Sequence, residues 1–552
     1  MQNRFLAALF ASVLIAAAPV LDLRERSRFE LDFGPSSEQV ARIALSRGQS
    51  ADIVVIQRGV DVVVTLQDPD GRRIDEIDSP NGRNGDEPVR IYARTTGTYR
   101  LQIKPIAANE PKGRIEVRVL AVRSEAETAA IRRQQDLIRN AAASWLRRND
   151  VALPPLNDIA SARSIGPVDQ LAASARLIGL GEATHGSREF GDVRLSLVQR
   201  LVTRFGFRVI AIEDNASRWR ALEPYVASLS ASPATPVEWG WIGRRSRKAL
   251  LDWVRSWNLA HPHDRVRIVG IDPQDNLFWR DQLPALLVRA YGEPLRAIWA
   301  QHVAELAAAD EQTQVFGDSS VSQATRDFLQ DLLARVVTDG PILTPKLGEA
   351  DYGRLLDQVQ QLAAFADFNS GNGPLAKSRD WYMALATLRA IESGNGKGIY
   401  WAHNSHVSTA ATSWGPTGAL LRAALGCGYR ALATTFGEGA FLAQIPNDAT
   451  DRLQVSRVGA ADEDSLEAVL AKVAKGPHVA TWQCGTKDDL PAWLREPRSM
   501  RWVGGLYAPD SPPAGSYRPY RLTEAFDGVV YFPTVRAEAD PGDRPVIPAR
   551  KR

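Results

Sequence analysis

The sequence predicts a multidomain chain: an N-terminal all-β sandwich, then an α/β domain with a largely parallel sheet and a helical insertion. Three observations lead there. The chain has 552 residues, too many for one ordinary domain. Residues 22–122 carry short β-branched runs separated by turns. From residue 159 apolar runs alternate with helical patterns, the grammar of a parallel sheet covered by helices.

The chain opens Met1-Gln2-Asn3-Arg4, followed by an uncharged apolar run from Phe5 to Ala18. A basic start and a run too short to span a bilayer read as a secretory signal over residues 1–21. Ala16-Ala17-Ala18 offers the small-residue cleavage site, although Pro19 directly after it is unfavourable. An uncleaved N-terminal anchor is the alternative. The expected location is periplasmic or secreted, with no membrane span left after cleavage. Cys427 and Cys484 are the only cysteines; two do not make a disulfide framework or a metal motif, and their pairing stays open.

Within residues 22–122, Ile53-Val54-Val55-Ile56, Val60 to Leu66, Val89 to Ala93, Thr98 to Ile103 and Arg114 to Val119 read as strands. Asp68-Pro69-Asp70-Gly71 has Pro and Gly where a turn needs them. Six or so strands in this length indicate a β-sandwich. The runs DVVVTLQDPDG and TTGTYRLQI resemble the jelly-roll-like modules appended to secreted bacterial hydrolases. That resemblance implies a spacer or a module that binds glycan or protein. Residues 123–158 read as a linker helix with Ile131, Leu137, Ala142, Trp145 and Leu146 at helical spacing, then a linker from Val151 to Leu156.

The domain at 159–535 opens with a strand, Arg176 to Leu180, that runs into Gly181-Glu182-Ala183-Thr184-His185-Gly186. Ser187 can cap a helix with Phe190, Val193, Leu197, Val198 and Leu201 on one face, stopping near Phe205-Gly206. Val209 to Ile212 leads into Glu213, a tryptophan-rich helical segment spans Trp239 to Asn258, and Arg265 to Ile271 ends at Asp272. Residues 274–393 show helical patterns alone, an insertion or cap. Gly398 to Ala402 then leads to His403-Asn404-Ser405-His406, with later strands at Tyr429 to Phe436, His478 to Trp482 and Gly528 to Phe532. The tail, 536–552, is charged and proline-rich and expected to be loose.

Four strand ends thus deliver three carboxylates (Glu182, Glu213, Asp272) and three imidazoles (His185, His403, His406). The chain holds seven histidines in all. Loops at the carboxyl ends of parallel strands converge on one crevice, so the joint pattern favours a site over unrelated polar termini. Neutral imidazole can take a proton from water while a carboxylate fixes its tautomer. A second histidine, or an arginine held by a carboxylate, can donate to a developing oxyanion.

These residues carry a family resemblance. GEATHGSREFGDVR resembles the leading motif of the erythromycin esterase family, and IED, GID, SRDWYMA and WAHNSHV follow in the expected order over residues 160–535. The resemblance implies hydrolysis of a small-molecule ester or lactone by water without an acyl-enzyme, and no cofactor. Carried over, His185 matches the general base, Glu182 its acidic partner, Glu213 the second-strand carboxylate, and His403 and His406 the histidines after the fourth strand. Arg194 matches the family's arginine; a plain ion pair with Glu182, Glu189 or Glu213 is its other reading. Asp272, Glu189 and Asn404 are expected in the site wall, with a helix cap as the alternative for Asp272.

Rival chemistries remain beside this one. No G-x-S-x-G elbow exists for a serine hydrolase, and Ser187 and Ser405 read as a cap and a loop hydroxyl. The set His185, His403, His406, Glu182 and Glu213 also suits zinc or manganese, so a divalent metal is not excluded. A non-catalytic or glycan-modifying exported protein is the third reading. The net charge of +3, spread over interleaved arginines and acids, gives no case for nucleic acid. Basic residues at Arg244, Arg245, Arg247 and Lys248 stand where the family pattern leads one to expect an acidic residue, which leaves the substrate open between macrolides and other esters or lactones. Among the insertion's aromatics, Phe278, Trp279, Trp381 and Tyr382 are expected mostly in its core, with some lining the cleft.

Overall fold

The computed structural model describes residues 19–78, 82–227, 244–312, 321–368, 375–394, 396–410, 415–445, 453–482, 484, 490–507 and 516–538. The expected leader up to Ala18, the start of the tryptophan-rich segment through Gly243 and the tail from residue 539 lie outside these. The chain divides into two compact units, residues 1–138 with 510–516, and residues 139–509 with 517–552. The division falls inside the helix Glu125–Arg148.

In the first unit a five-stranded sheet runs in the order Leu21–Asp22, Gln39–Leu45, Gly97–Pro105, Val62–Gln67, Arg73–Ile77. A four-stranded sheet runs Arg28–Phe33, Gly113–Arg123, Ser50–Arg58, Asn84–Tyr92. Alternation drives the packing: along Val62–Gln67 every second residue is buried. Inward residues of both sheets, Ile43, Ile53, Val64, Leu101 and Val117 among them, form one core. This is the expected sandwich, with nine strands rather than six. The extra ones, such as Arg28–Phe33, are short or charged on one face and carry a weak apolar signal. Asp68 and Gly71 close the expected turn, Gly71 N–H donating to Asp68 O at 3.0 Å with φ +80°.

The main sheet of the second unit holds nine strands, labelled β1 (Asp150–Ala152), β2 (Leu177–Leu180), β3 (Val209–Asn215), β4 (Arg267–Asp272), β5 (Gly398–Trp401), β6 (Tyr429–Gln444), β7 (Leu453–Val458), β8 (His478–Thr481) and β9 (Gly528–Val535), while Pro497–Arg501 and Tyr517–Arg521 form a separate antiparallel pair. They lie in the order β1-β8-β9-β6-β2-β5-β3-β4, with β7 on β6. From β9 to β4 every neighbour is parallel. The antiparallel pairs are β1 with β8, β8 with β9 and β6 with β7. Residues that alternate along β2, β3 and β5 enter different cores: Ile178, Ile210 and Ile399 pack on one face, Leu177, Val209 and Tyr400 on the other. Covered on both faces, such strands read as continuous apolar runs, and β2 and β5 are buried throughout.

The stretch read as a linker supplies β1, whose Val151 pairs with Val479. The expected insertion comprises the helices Leu277–Tyr291, Glu293–Gln312, Gln323–Thr338, Gly340–Leu347, Glu349–Phe368 and Leu375–Glu392. It has its own core around Trp279, Trp299, Leu329, Leu355 and Phe365. Tyr382 is buried and donates to Asp367 Oδ2 at 2.6 Å, whereas Trp381 is half exposed. The chain stays anchored past residue 535, so residues 536–538 depart from the expected loose tail: Glu538 N–H donates to Gly186 O at 2.9 Å, and Arg536 pairs with Glu189.

Candidate active site

The turn after β2 is shaped by close approach. A side chain at Gly181 collides with Asn404 Oδ1, and one at Gly186 with the backbone of Leu442. Ser187 stands at the N-cap of the helix Arg188–Phe205 without donating or accepting a capping bond from its side chain. The sequence expectation of a side-chain cap is not met: Ser187 Oγ is buried with no hydrogen-bond partner among the described residues. The helix ends as expected at Gly206, which is left-handed at φ +74°.

Glu182, buried beneath the turn, has two partners. Its Oε1 lies 2.8 Å from His185 Nδ1, and its Oε2 accepts from Arg194 Nη2. Burial works to raise this carboxyl, but Arg194 and His185 beside it hold it below its ordinary value. Arg194 lies over the Trp401 ring, 4.1 Å from its centroid. Burial pushes that guanidinium down to about 10, still charged at neutral pH. The ion pair with Glu182 is therefore the partner that the sequence left open among three.

His403 faces His185 with ring centroids 5.1 Å apart. Its Nδ1 accepts from Ser405 N–H at 3.2 Å and lies 2.7 Å from Ser405 Oγ; its Nε2 lies 3.3 Å from Ala183 O. An N–H donated to Nδ1 places the ring proton on Nε2, toward the carbonyl. Burial, with His185 adjacent, drives the imidazole down to about 3, so it stays neutral. His403 thus caps the short helix Asn404–Val407, in which Ser405 lies; a base this weak does not activate the Ser405 hydroxyl as a nucleophile.

A second cluster centres on Arg379, from the helix Leu375–Glu392. Its Nε donates to Asp272 Oδ1 at 2.9 Å, its Nη2 to Glu213 Oε1 at 3.0 Å, and its Nη1 lies 3.0 Å from His406 Nε2. Glu213 Oε1 is 3.2 Å from the same Nε2. Glu213 Oε2 accepts His403 N–H at 2.7 Å and so ties the two clusters together. Burial opposes ionisation of Glu213, yet His406 and Arg379 hold it well below the carboxylate range. Burial raises Asp272, and Arg379 pulls it back in part. Asp272 is an ion-pair partner, not a helix cap.

Two expected wall residues turn their side chains to other partners. Asn404 spends its side chain on β6, donating to Thr434 O at 2.7 Å and accepting Thr434 N–H at 3.2 Å. Glu189 accepts from Arg536 N–H at 2.7 Å and Arg536 Nε at 2.8 Å, so it secures the C-terminal segment. Short polar and first-turn acidic residues find backbone and cationic partners that sequence spacing does not show.

Arg379, Asp380 and Trp502 were not singled out from sequence as site residues. Trp502 meets His403 edge to face at 5.6 Å. The five potential metal ligands do not gather as a ligand set. Both ring nitrogens of His403 and His406 already have protein partners, and among the described residues no group of three or more His, Cys, Asp or Glu is arranged to hold a metal ion. Of the three imidazoles only His185 reaches solvent appreciably, with 21% of its side chain exposed.

Comparison with known proteins adds to this geometry. The family model described as Erythromycin esterase matches residues 202–535. Glu182, His185 and Arg194 lie ahead of that span. The chain is 24% identical over 292 residues to "Erythromycin esterase type I" of Escherichia coli, covering 47% of this chain and 70% of that one. A Bacillus cereus crystal structure matches with TM-score 0.60 at 22% identity, over 72% of this chain and 98% of that one. An erythromycin esterase mutant, EreC, in its open conformation matches with TM-score 0.55 at 19% identity, over 71% and 99%. A structure described as a succinoglycan biosynthesis protein matches with TM-score 0.56 at 18% identity, over 72% and 98%. At these identities the structures share the fold.

Proposed function

The chain belongs to the erythromycin esterase family, a family of hydrolases, and on that premise we propose that it cleaves a small-molecule ester or lactone with water activated by His185. The observation that carries this reading is the buried Glu182 carboxylate shared between His185 Nδ1 and Arg194. The carboxylate keeps the ring proton on Nδ1, which leaves Nε2 as the base. Water attacks the carbonyl carbon, its proton passes to Nε2, and the tetrahedral intermediate collapses as His185 returns that proton to the leaving alkoxide. Arg194 Nη1, buried with no hydrogen bond among the described residues, is the donor assigned to the oxyanion. No cofactor and no acyl-enzyme enter this reading.

Export is part of the proposal. It rests on the leader pattern and on the disulfide between Cys427 and Cys484, a bond that persists in oxidising compartments.

The test is a hydrolysis screen of macrolides, simple lactones and acyl esters with wild type and His185→Ala. Each active substrate is followed by denaturing mass spectrometry during turnover and by chelation. Loss of activity in His185→Ala, no acyl adduct and no effect of chelator support the reading. An adduct on Ser405, or activity lost to chelation and restored by zinc or manganese, overturns it.

A further inference from the structure

Asp380 is fully buried and adjoins Arg379 on the helix Leu375–Glu392. One of its oxygens has three partners: Oδ1 accepts Thr417 N–H at 2.7 Å and the Thr417 hydroxyl at 2.6 Å, and lies 2.8 Å from His406 Nδ1. Thr417 opens the helix Thr417–Leu425, so its N–H has no acceptor within that helix and needs one outside it. With the Thr417 N–H and hydroxyl both directed at it, Oδ1 serves as an acceptor, and a nitrogen in contact with it brings a proton of its own.

The opposite side of the same ring agrees. Arginine only donates, so Arg379 Nη1, 3.0 Å from His406 Nε2, faces a lone pair when the ring is neutral. Glu213 Oε1, 3.2 Å from Nε2, is the acceptor available when the ring is charged. The charged groups against His406 among the described residues include Asp380 and Arg379 from the insertion and Glu213 from β3.

We propose that Asp380 is the positioning residue of His406: it holds a proton on Nδ1, so that Nε2 is the atom presented to Arg379 and Glu213. The helical insertion then supplies, in the dipeptide Arg379-Asp380, both the cation that joins Glu213 to Asp272 and the anion that orients the ring. Because Glu213 also receives His403 N–H at 2.7 Å, the orientation of His406 reaches the imidazole beside His185. This rests on the hydrolytic reading for its effect on rate, but not for its structural claim.

The experiment reads the two separately. Long-range 1H–15N correlation spectra of 15N-histidine-labelled full-length protein, with His406→Gln to assign the signals, report which ring nitrogen carries the proton at a pH where the ring is neutral. Wild type is expected to show His406 protonated on Nδ1. Asp380→Asn keeps an acceptor for Thr417 but removes the charge; the Nδ1–H form is expected to give way to a mixture, with kcat on a hydrolysed ester falling about 10–100-fold and KM changing by less. Thr417→Val, which removes only the hydroxyl bond, is expected to keep the Nδ1–H form. A tautomer unchanged in folded Asp380→Asn overturns the proposal, as does Thr417→Val reproducing both effects. Should Asp380→Asn fail to fold, wild type decides alone: His406 protonated on Nε2 and bare on Nδ1 overturns it. A protein with no hydrolytic activity but the expected spectra sinks the hydrolytic reading and leaves the positioning of His406 standing.

Discussion

His185 Nδ1 lies 2.8 Å from Glu182 Oε1, and that carboxylate is buried with Arg194 on its other oxygen. A charged acceptor at Nδ1 leaves the ring one neutral form, with its lone pair at Nε2. An uncharged amide enforces this far less. Glu182→Gln is therefore expected to lower kcat about 10²–10⁴-fold, the usual span for general acid–base assistance, with a smaller change in KM. Steady-state kinetics on any ester the wild type hydrolyses check it, and a wild-type kcat would refute the role.

Arg194 and Glu182 are both nearly inaccessible, with 3% and 4% of their side chains exposed. Removing one member of a buried pair leaves the other charge uncompensated, at a cost of about 3–5 kcal/mol. Arg194→Met is expected to lower the melting temperature markedly, and adding Glu182→Gln is expected to recover much of the loss by removing the stranded charge. Melting curves of the two single variants and the double variant test this; simple additivity would mean that the pair is not coupled.

The parts of this architecture legible in the sequence are those set by burial. β2 and β5 are buried along their whole length, so their apolar runs and the polar residues ending them, Glu182 and His403, stand out without a structure. The partners are another matter. Arg379 and Asp380 lie on a helix whose periodicity shows which residues share a face, not which strand end that face meets, and 107 residues separate Arg379 from Asp272. β7 is half exposed and left no apolar run to read. Asn404 stands beside the turn at Gly181, but its amide is matched to the backbone of Thr434, a pairing that spacing along the chain does not show.

The disulfide between Cys427 and Cys484 joins positions 57 residues apart, with Cα atoms 5.9 Å from each other. Closing a loop of this length restricts the unfolded chain, and such a bond contributes about 2–4 kcal/mol. A double Cys427→Ser, Cys484→Ser variant, or wild type under reductant, is expected to melt at a lower temperature. The bond ties the turn before β6 to the chain after β8 and touches none of the catalytic side chains, so kcat at 25 °C is expected to persist. Calorimetry with and without reductant, paired with an activity assay, distinguishes this from a redox-controlled site.

Acid should weaken the fold through His403. Its folded value of about 3 lies below the ordinary 6.5, so between these the unfolded chain binds a proton that the native ring refuses. The contribution is complete above 6.5 and is lost as the pH falls toward 3. Glu213, also lowered, acts in the same direction at more acidic pH. His406, raised by Asp380 and Glu213 against the effect of burial, acts the other way, its contribution being lost as pH rises. Denaturant titrations at pH 6.5 and pH 4 should show a steeper loss for wild type than for His403→Asn; equal losses would rule out this origin.

Asp150 makes the opposite case at the sheet edge. Burial raises its carboxyl to about 7, and among the described residues Oδ1 makes no hydrogen bond, with His478 Nε2 3.8 Å away. His478 Nδ1 is turned toward Gly476 O at 2.9 Å, and burial lowers this imidazole, so it supplies no positive charge. Since the folded value lies above the unfolded one, the protonated carboxyl favours folding at low pH and that contribution is lost as the pH rises through about 7. An uncharged isostere removes the penalty on the alkaline side. Asp150→Asn is expected to raise the melting temperature most at pH 8.5 and by clearly less at pH 5. If the gain is the same at both values, the strand gains from the amide's packing or hydrogen bonding and not from the removal of a charge.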